Sequence, residues 1–344
     1  MREFKLLKAF LIPLALLIFG NSHNFAQNKP LNEIIDIKDL YVRDPFIVAD
    51  PATKNYYLYK AGRVKGKDGT EVNGVVAYKS KDLRKWKGPY HVFAIPADNW
   101  VKGVVWAPEV HQYKGKYYLF ATLNSEIEWK KKADNWPAYT FRGTQIFYAD
   151  SPLGPFLAFD EKMPHTPMDR MALDGTLWEE NGIPYMIYCH EWVQIEDGAM
   201  ELVQLAPDLS KTIGASQTLF NASVAPWSTG THRVNGPSSY VTDGCFLYTT
   251  TTGKLLMMWS SFKDGSYAIG LAESTTGKVS GPWIQQKDLL FSENGGHGML
   301  FKTFEGQLML TFHGPNSPGG SERMLIFEIE DVGNTLTLKT QLFK

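Results

Sequence analysis

The sequence predicts an all-β fold, a five-bladed β-propeller. Three observations carry that expectation. A unit of about four short strands recurs five times, each copy opens on a short phrase just ahead of an apolar run, and helical periodicity is almost absent.

The units follow one another in order. Arg43-Asp44-Pro45 precedes F-I-V, a turn at D-P-A-T-K-N, and Y-Y-L-Y. Trp106-Ala107-Pro108-Glu109 leads V-H-Q-Y, a turn at Lys114-Gly115, and K-Y-Y-L-F-A-T. Leu173-Asp174-Gly175 precedes T-L-W, the turn E-E-N-G, and P-Y-M-I-Y-C. Asp243-Gly244 opens the fourth unit before C-F-L-Y and L-L-M-M-W-S-S-F. Gly296-His297-Gly298 opens the fifth, before M-L-F, a turn at Glu305-Gly306, and Q-L-M-L-T-F-H. With positions 44, 107, 174, 243 and 297 taken as equivalent, the intervals are 63, 67, 69 and 54 residues, a regularity that a β-sandwich would not produce. Turn-rich phrases such as S-K-D-L-R-K-W-K-G-P and A-D-S-P-L-G-P-F close the outer strands, and the fifth unit ends on M-L-I-F-E-I-E. One domain, residues 35–344, is expected.

Residues 1–27 stand apart. Arg2, Lys5 and Lys8 precede the apolar run Ala9–Phe19, which is short for a bilayer span and ends in polar residues, so a secretory leader with Ala26 as its last residue is expected. A retained anchor helix is the alternative reading. No Cys follows the run, which speaks against a lipid anchor. A periplasmic or secreted chain with no membrane attachment after cleavage follows from the leader. Only Cys189 and Cys245 occur, and either a disulfide or two buried thiols fits their apolar surroundings. A formal charge of -1 leaves no basic footprint for nucleic acid.

In a propeller the first strand of each blade lines the axis, so the phrases that precede those strands converge at one end of the channel. Asp44, Asp174, Asp243 and His297 become neighbours. Several carboxylates in a bowl rimmed by aromatics suit a carbohydrate, whose hydrolysis needs one carboxyl as proton donor and another to activate water.

R-D-P-F-I, W-A-P-E-V with K-Y-Y-L-F-A-T, D-G-T-L-W and G-G-H-G-M-L together resemble glycoside hydrolase family 43, the inverting five-bladed propellers. The resemblance places a motif in every blade over nearly all of the chain beyond the leader. It implies that Asp44 is the general base that activates water, and that Asp174 modulates the pKa of the acid and orients it. It expects Glu-Gly-Pro at the start of blade four, where this chain has Asp243-Gly244-Cys245; the nearby Asn235-Gly236-Pro237 has no acidic side chain. Asp243 is one methylene short for the task. The second strand of blade three returns to the same end and delivers His190-Glu191-Trp192, so Glu191 is the favoured acid and Asp243 the alternative.

By the same resemblance Trp106 forms a wall of the terminal sugar subsite and Arg323 reaches into it. His297 lies at the channel centre, where a bound calcium or a purely hydrogen-bonded imidazole are both open. Trp192, with Trp136 and Tyr139 of the insertion W-K-K-K-A-D-N-W-P-A-Y, is expected to shape subsites beyond the cleaved bond, whereas Glu109 is read as structural. The implied activity is release of terminal α-L-arabinofuranose or β-xylose from a plant-type polysaccharide or oligosaccharide, with no organic cofactor. A β-galactosidase of the same fold and a noncatalytic carbohydrate-binding propeller are the alternatives.

Overall fold

The computed structural model describes residues 33–66, 68–130, 136–160, 162–231 and 238–343. Residues 1–27, where a leader is expected, and Asn235-Gly236-Pro237 lie outside them. No helix among the described residues is long and apolar enough to cross a membrane.

The strands form five antiparallel sheets, each built from consecutive chain. Blade one is β2 (Phe46–Asp50), β3 (Asn55–Lys65), β4 (Glu71–Ser80) and β5 (Lys85–Ala94), with β1 (Glu33–Asp36) added outside β5. Blade two is β6 (Val104–Tyr113), β7 (Lys116–Lys130), β8 (Tyr139–Ala149) and β9 (Leu157–Ala158). Blade three comprises β10 (Ala172–Glu180), β11 (Ile183–His190), β12 (Ala199–Leu205) and β13 (Thr212–Asn221), with a one-turn helix α1 (Trp192–Ile195) after β11. Blade four is β14 (Asp243–Thr249), β15 (Leu255–Lys263), β16 (Ser266–Ser274) and β17 (Trp283–Gln285). Blade five is β18 (Gly296–Lys302), β19 (Leu308–Gly314), β20 (Arg323–Asp331) and β21 (Leu336–Gln341).

Local chemistry explains the hairpins. Lys114-Gly115, Asn181-Gly182 and Asp264-Gly265 each have two consecutive positive φ angles, the backbone of a type I′ turn, whose twist matches that of the strands it joins. Middle strands such as β15, L-L-M-M-W-S-S, are buried on both faces because blades pack on either side. Toward the rim, β5 alternates Lys85 out, Trp86 in, Lys87 out. Trp259 is fully buried and contacts Phe220 of blade three and Trp227 of the connection between the two blades. Truncating such a residue to Ala would cost about 3–5 kcal/mol. Gly270 has no side chain because a Cβ there would lie 2.2 Å from the Trp227 ring.

The ring closes without strand exchange. Tyr41 bridges Arg323, the Val42 N–H donates to the Glu322 carbonyl, and Arg43 pairs with the Glu322 carboxylate at 2.9 Å. Met299, Phe301, Met309, Met324 and Ile326 of blade five join the core of blade one, completing the seam with apolar contact.

One irregularity recurs. In blade two the ladder jumps from Trp106↔Thr122 to Glu109↔Phe120, and blades three, four and five make the same one-residue jump after Leu173↔Cys189, Asp243↔Ser260 and Gly296↔His313. Each jump is a β-bulge, and its first residue has positive φ: Ala107, Asp174, Gly244 and His297, with Asp44 in the same conformation in blade one. The fourth equivalent position is therefore Gly244 and not Asp243. Asp243 stands one residue earlier, level with Trp106, Leu173 and Gly296.

Candidate active site

Bulges re-aim side chains, and here those of Asp174 and His297 turn into the end of the channel, joined by Asp44, which has the same left-handed backbone without a bulge. His297 Nδ1 lies 3.4 Å from Asp44 Oδ1 and 3.7 Å from Asp174 Oδ2. Gly244 leaves room for that imidazole, since a Cβ on it would sit 2.7 Å from His297 Cγ. Asp243 accepts a 2.9 Å hydrogen bond from the Tyr267 hydroxyl. All four residues line one cavity of about 730 Å³ together with Glu191, Trp106 and Trp192.

The second strand of one blade holds the bulge of the next. Thr122 Oγ1 accepts the Asp174 N–H at 2.8 Å, Ser260 Oγ accepts the His297 N–H at 2.8 Å, and His313 Nδ1 accepts the Asp44 N–H at 3.3 Å. Thr122, Ser260 and His313 each lie opposite the residue before the bulge of their own blade. The matching residue of blade three is Cys189, a poor acceptor, and the Gly244 N–H goes instead to Asp174 Oδ2 at 3.1 Å. Asp174 is thereby tied to blade four. Cys189 and Cys245 are adjacent, buried, free thiols behind this contact.

The carboxyls differ in their hold on a proton. Burial opposes the charge of Asp44, yet His297, His313 and Arg43 overcome it and keep that carboxyl below the usual carboxylate range. Asp174 is driven the other way by burial and by the nearby charges of Asp243 and Asp44, against the pull of His297. Burial, helped by Asp44, likewise raises Asp243. Burial pushes Glu191 up to about 7 although Arg142 opposes it. His297 is raised because the attraction of Asp44, Asp174 and Asp243 outweighs its burial. The cavity therefore combines a carboxylate held ionised with carboxyls that retain protons.

Glu191 follows β11 directly, so the strand that leaves the channel end at Asp174 brings the chain back to it. Arg142 Nη1 lies 2.9 Å from Glu191 Oε2 and 3.1 Å from Oε1, and its guanidinium stacks 4.8 Å from the centroid of a Trp106 ring. Trp106 and Arg142 thus form one wall with the carboxyl fixed against it. Trp192 lines the cavity, while Trp136 is buried edge-on to it at 5.6 Å and donates to the Val193 carbonyl. Trp136 shapes the site through Trp192 rather than by lining it. His190 turns away to Glu201 and Gln194, and Glu109 is buried with Oε2 2.8 Å from His111 Nε2.

Arg323 is not in the cavity. It stands at the seam, where its guanidinium donates to the Lys38 and Glu322 carbonyls, consistent with the short match that suggested it. The cavity arginine beside Asp44 is Arg43, Nε 3.8 Å from Asp44 Oδ2. Among the described residues no group of three or more His, Cys, Asp or Glu could hold a metal ion, so a calcium beside His297 would take most of its shell from water. The raised imidazole faces its carboxylates as a cation would.

Sequence reasoning missed His313, Tyr267, Arg43 and Arg142. The return of a second strand to the active end, which located Glu191, also applies to T-F-H at the end of β19 and could have found His313. Nothing local marks Tyr267 or Arg142, because both reach the site from third strands.

The model of glycosyl hydrolases family 43 matches residues 37–331. A crystal structure of an endo-arabinase from Bacteroides thetaiotaomicron is similar with TM-score 0.74 and 39% sequence identity, covering 88% of this chain and 98% of that one. An α-L-arabinofuranosidase structure from Lactobacillus brevis, TM-score 0.65 and 18% identical over 88% of this chain and 97% of its own, shares the fold. Among curated proteins, α-L-arabinofuranosidase B of Pyricularia oryzae is 24% identical over 197 residues, 56% of this chain and 37% of that protein. The chain thus spans well under half the length of the curated relative it matches.

Proposed function

Because the chain belongs to glycosyl hydrolases family 43, we propose that it hydrolyses arabinofuranosyl bonds in plant-type polysaccharides or oligosaccharides by single displacement with inversion. The observation that carries this reading is the opposite hold on protons at Asp44 and Glu191 within one cavity. In it, Asp44 stays ionised and takes a proton from the water that attacks the anomeric carbon. Glu191 gives its proton to the leaving oxygen as the glycosidic bond breaks. Asp174, which keeps a proton of its own and accepts the Gly244 N–H, braces the floor between blades three and four, with His297 balancing the charge of Asp44. Trp106 offers an aromatic face to the C–H surface of the sugar.

Arabinose is favoured over xylose by likeness to the endo-arabinase and the arabinofuranosidase named above. The composition of residues 1–27 supports export to the periplasm or beyond.

The test is a product screen on arabinan, arabinoxylan and galactan oligosaccharides, with NMR of the first-formed anomer. Inverted arabinose or arabino-oligosaccharide is expected, and product length separates attack on chain ends from attack on internal bonds. Retention of configuration would overturn the single displacement. Release of galactose or xylose alone would overturn the sugar assignment. Sugar binding without turnover would reduce the protein to a binding propeller.

A further inference from the structure

The blade-one wall of the cavity carries positive charge that no carboxylate among the described residues neutralises. Lys60, on β3, lines the cavity, and among the described residues its ammonium forms no ion pair or hydrogen bond; its one charge contact is the ring of Tyr41, 5.3 Å from Nζ. Arg63, directly after Gly62, lines the same wall and among the described residues donates only to the Asn73 side-chain oxygen and the Glu71 carbonyl. The other cations around the cavity have carboxylate partners. Arg43 pairs with Glu322, Arg142 with Glu191, and His297 with Asp44 and Asp174.

Buried or half-buried ammonium groups are ordinarily paired, because desolvating a lone charge is costly. Burial draws the Lys60 amine down to about 8, the signature of a charge that lacks a counter-ion. A ring face offsets part of this cost but leaves the three N–H donors free. A neutral pentosyl hydroxyl would leave the ammonium without a counter-ion. An anion would give Lys60 its missing partner, and Arg63 on the same wall adds to the positive potential that attracts it.

We propose that this wall binds an anionic group of the saccharide substrate, a hexuronate carboxylate or a sulfate ester, adjacent to the sugar held at the carboxylate floor. The proposal rests on the glycosidase reading for its meaning. Its test includes a binding arm that stands without turnover.

Hexuronate-bearing, sulfated and neutral oligosaccharides of matched length are titrated calorimetrically into the full chain, and kcat/KM is measured for each. The same measurements are made on Lys60→Met and Lys60→Arg. The wild type is expected to bind at least one anionic ligand about tenfold or more tightly than the neutral one, the size of a charge-assisted contact. That ratio should weaken with added salt, collapse toward one in Lys60→Met, and survive in Lys60→Arg. Preference confined to the uronate or to the sulfate identifies the anion. Equal binding of anionic and neutral ligands by the wild type, or equal weakening of both in Lys60→Met, would overturn the proposal. Either result is readable even if no substrate is cleaved, an outcome that would count against the glycosidase reading alone.

Discussion

Replacing Glu191 by Gln separates proton donation from everything else that this side chain does. Arg142 Nη1 contacts both carboxylate oxygens, at 2.9 and 3.1 Å, and is itself buried against Trp106. Truncation to Ala would strand that guanidinium and cost about 3–5 kcal/mol of stability. Gln keeps one oxygen for Arg142 and fills the same volume, so the fold should hold and only the acid is lost. General acid catalysis contributes about 10²–10⁴-fold, or roughly 3–5 kcal/mol of barrier. Steady-state kcat/KM on arabino-oligosaccharides should fall by that factor. Aryl arabinofuranosides with acidic phenols need little protonation and should fall by about tenfold or less. Comparable losses on both substrate types would refute proton donation by Glu191. If Glu191→Gln is nearly silent while Asp243→Asn shows the leaving-group-dependent loss, the acid is Asp243, with Tyr267 as its hydrogen-bond donor.

The pH profile of kcat/KM should be flat through the mildly acidic range and fall on the alkaline side near pH 7, as Glu191, raised to about 7, loses its proton; Glu191→Gln should lack that limb. The acid limb requires protonation of Asp44, whose pKa is lowered, and should lie below the ordinary carboxylate range. His313→Leu removes the imidazole that catches the Asp44 N–H and lies 3.1 Å from Asp44 Oδ1, so its acid limb should move to higher pH, with partial rescue in His313→Asn; an unmoved limb would remove His313 from the control of Asp44. Gly244→Ala places a Cβ at φ +48 and 2.7 Å from the His297 ring, so a backbone cost of about 1–2 kcal/mol and a displaced imidazole should lower both Tm and kcat. Unchanged values for that variant would contradict the close approach.

The architecture was legible because its cause is repetitive. Turn residues such as Lys114-Gly115, Asn181-Gly182 and Asp264-Gly265 separate the apolar runs, and the count of runs gives the count of blades. The floor of the site was legible for the same reason: repeated entry phrases must meet on the axis. The register in blade four was not. Asp243 attracts the eye as the carboxylate of its phrase, but the bulge needs positive φ, and Gly244 is the residue that provides it without strain. Contacts that cross blades, such as Arg142 with Glu191 or Tyr267 with Asp243, depend on where third strands end and leave no mark in local pattern. Arg323 was misplaced because a short motif cannot say whether a side chain turns to the channel or to the seam.

The recurring bulge makes the active end a set of five interchangeable sockets. They hold Asp44, Ala107, Asp174, Gly244 and His297, so an acid, a small residue, an acid, a void and a base share one backbone shape. For Asp44, Asp174 and His297, support for the backbone comes from the preceding blade and not from the occupant's own side chain. Chemistry at this end can therefore change by single substitutions while the scaffold stays as it is. Ala107 is the plainest opening: it already occupies φ +38 on the cavity wall, and Asp tolerates the left-handed region better than Ala does. A further carboxylate, or a different substrate contact, is one codon away from a ring that would not need to be redesigned to receive it.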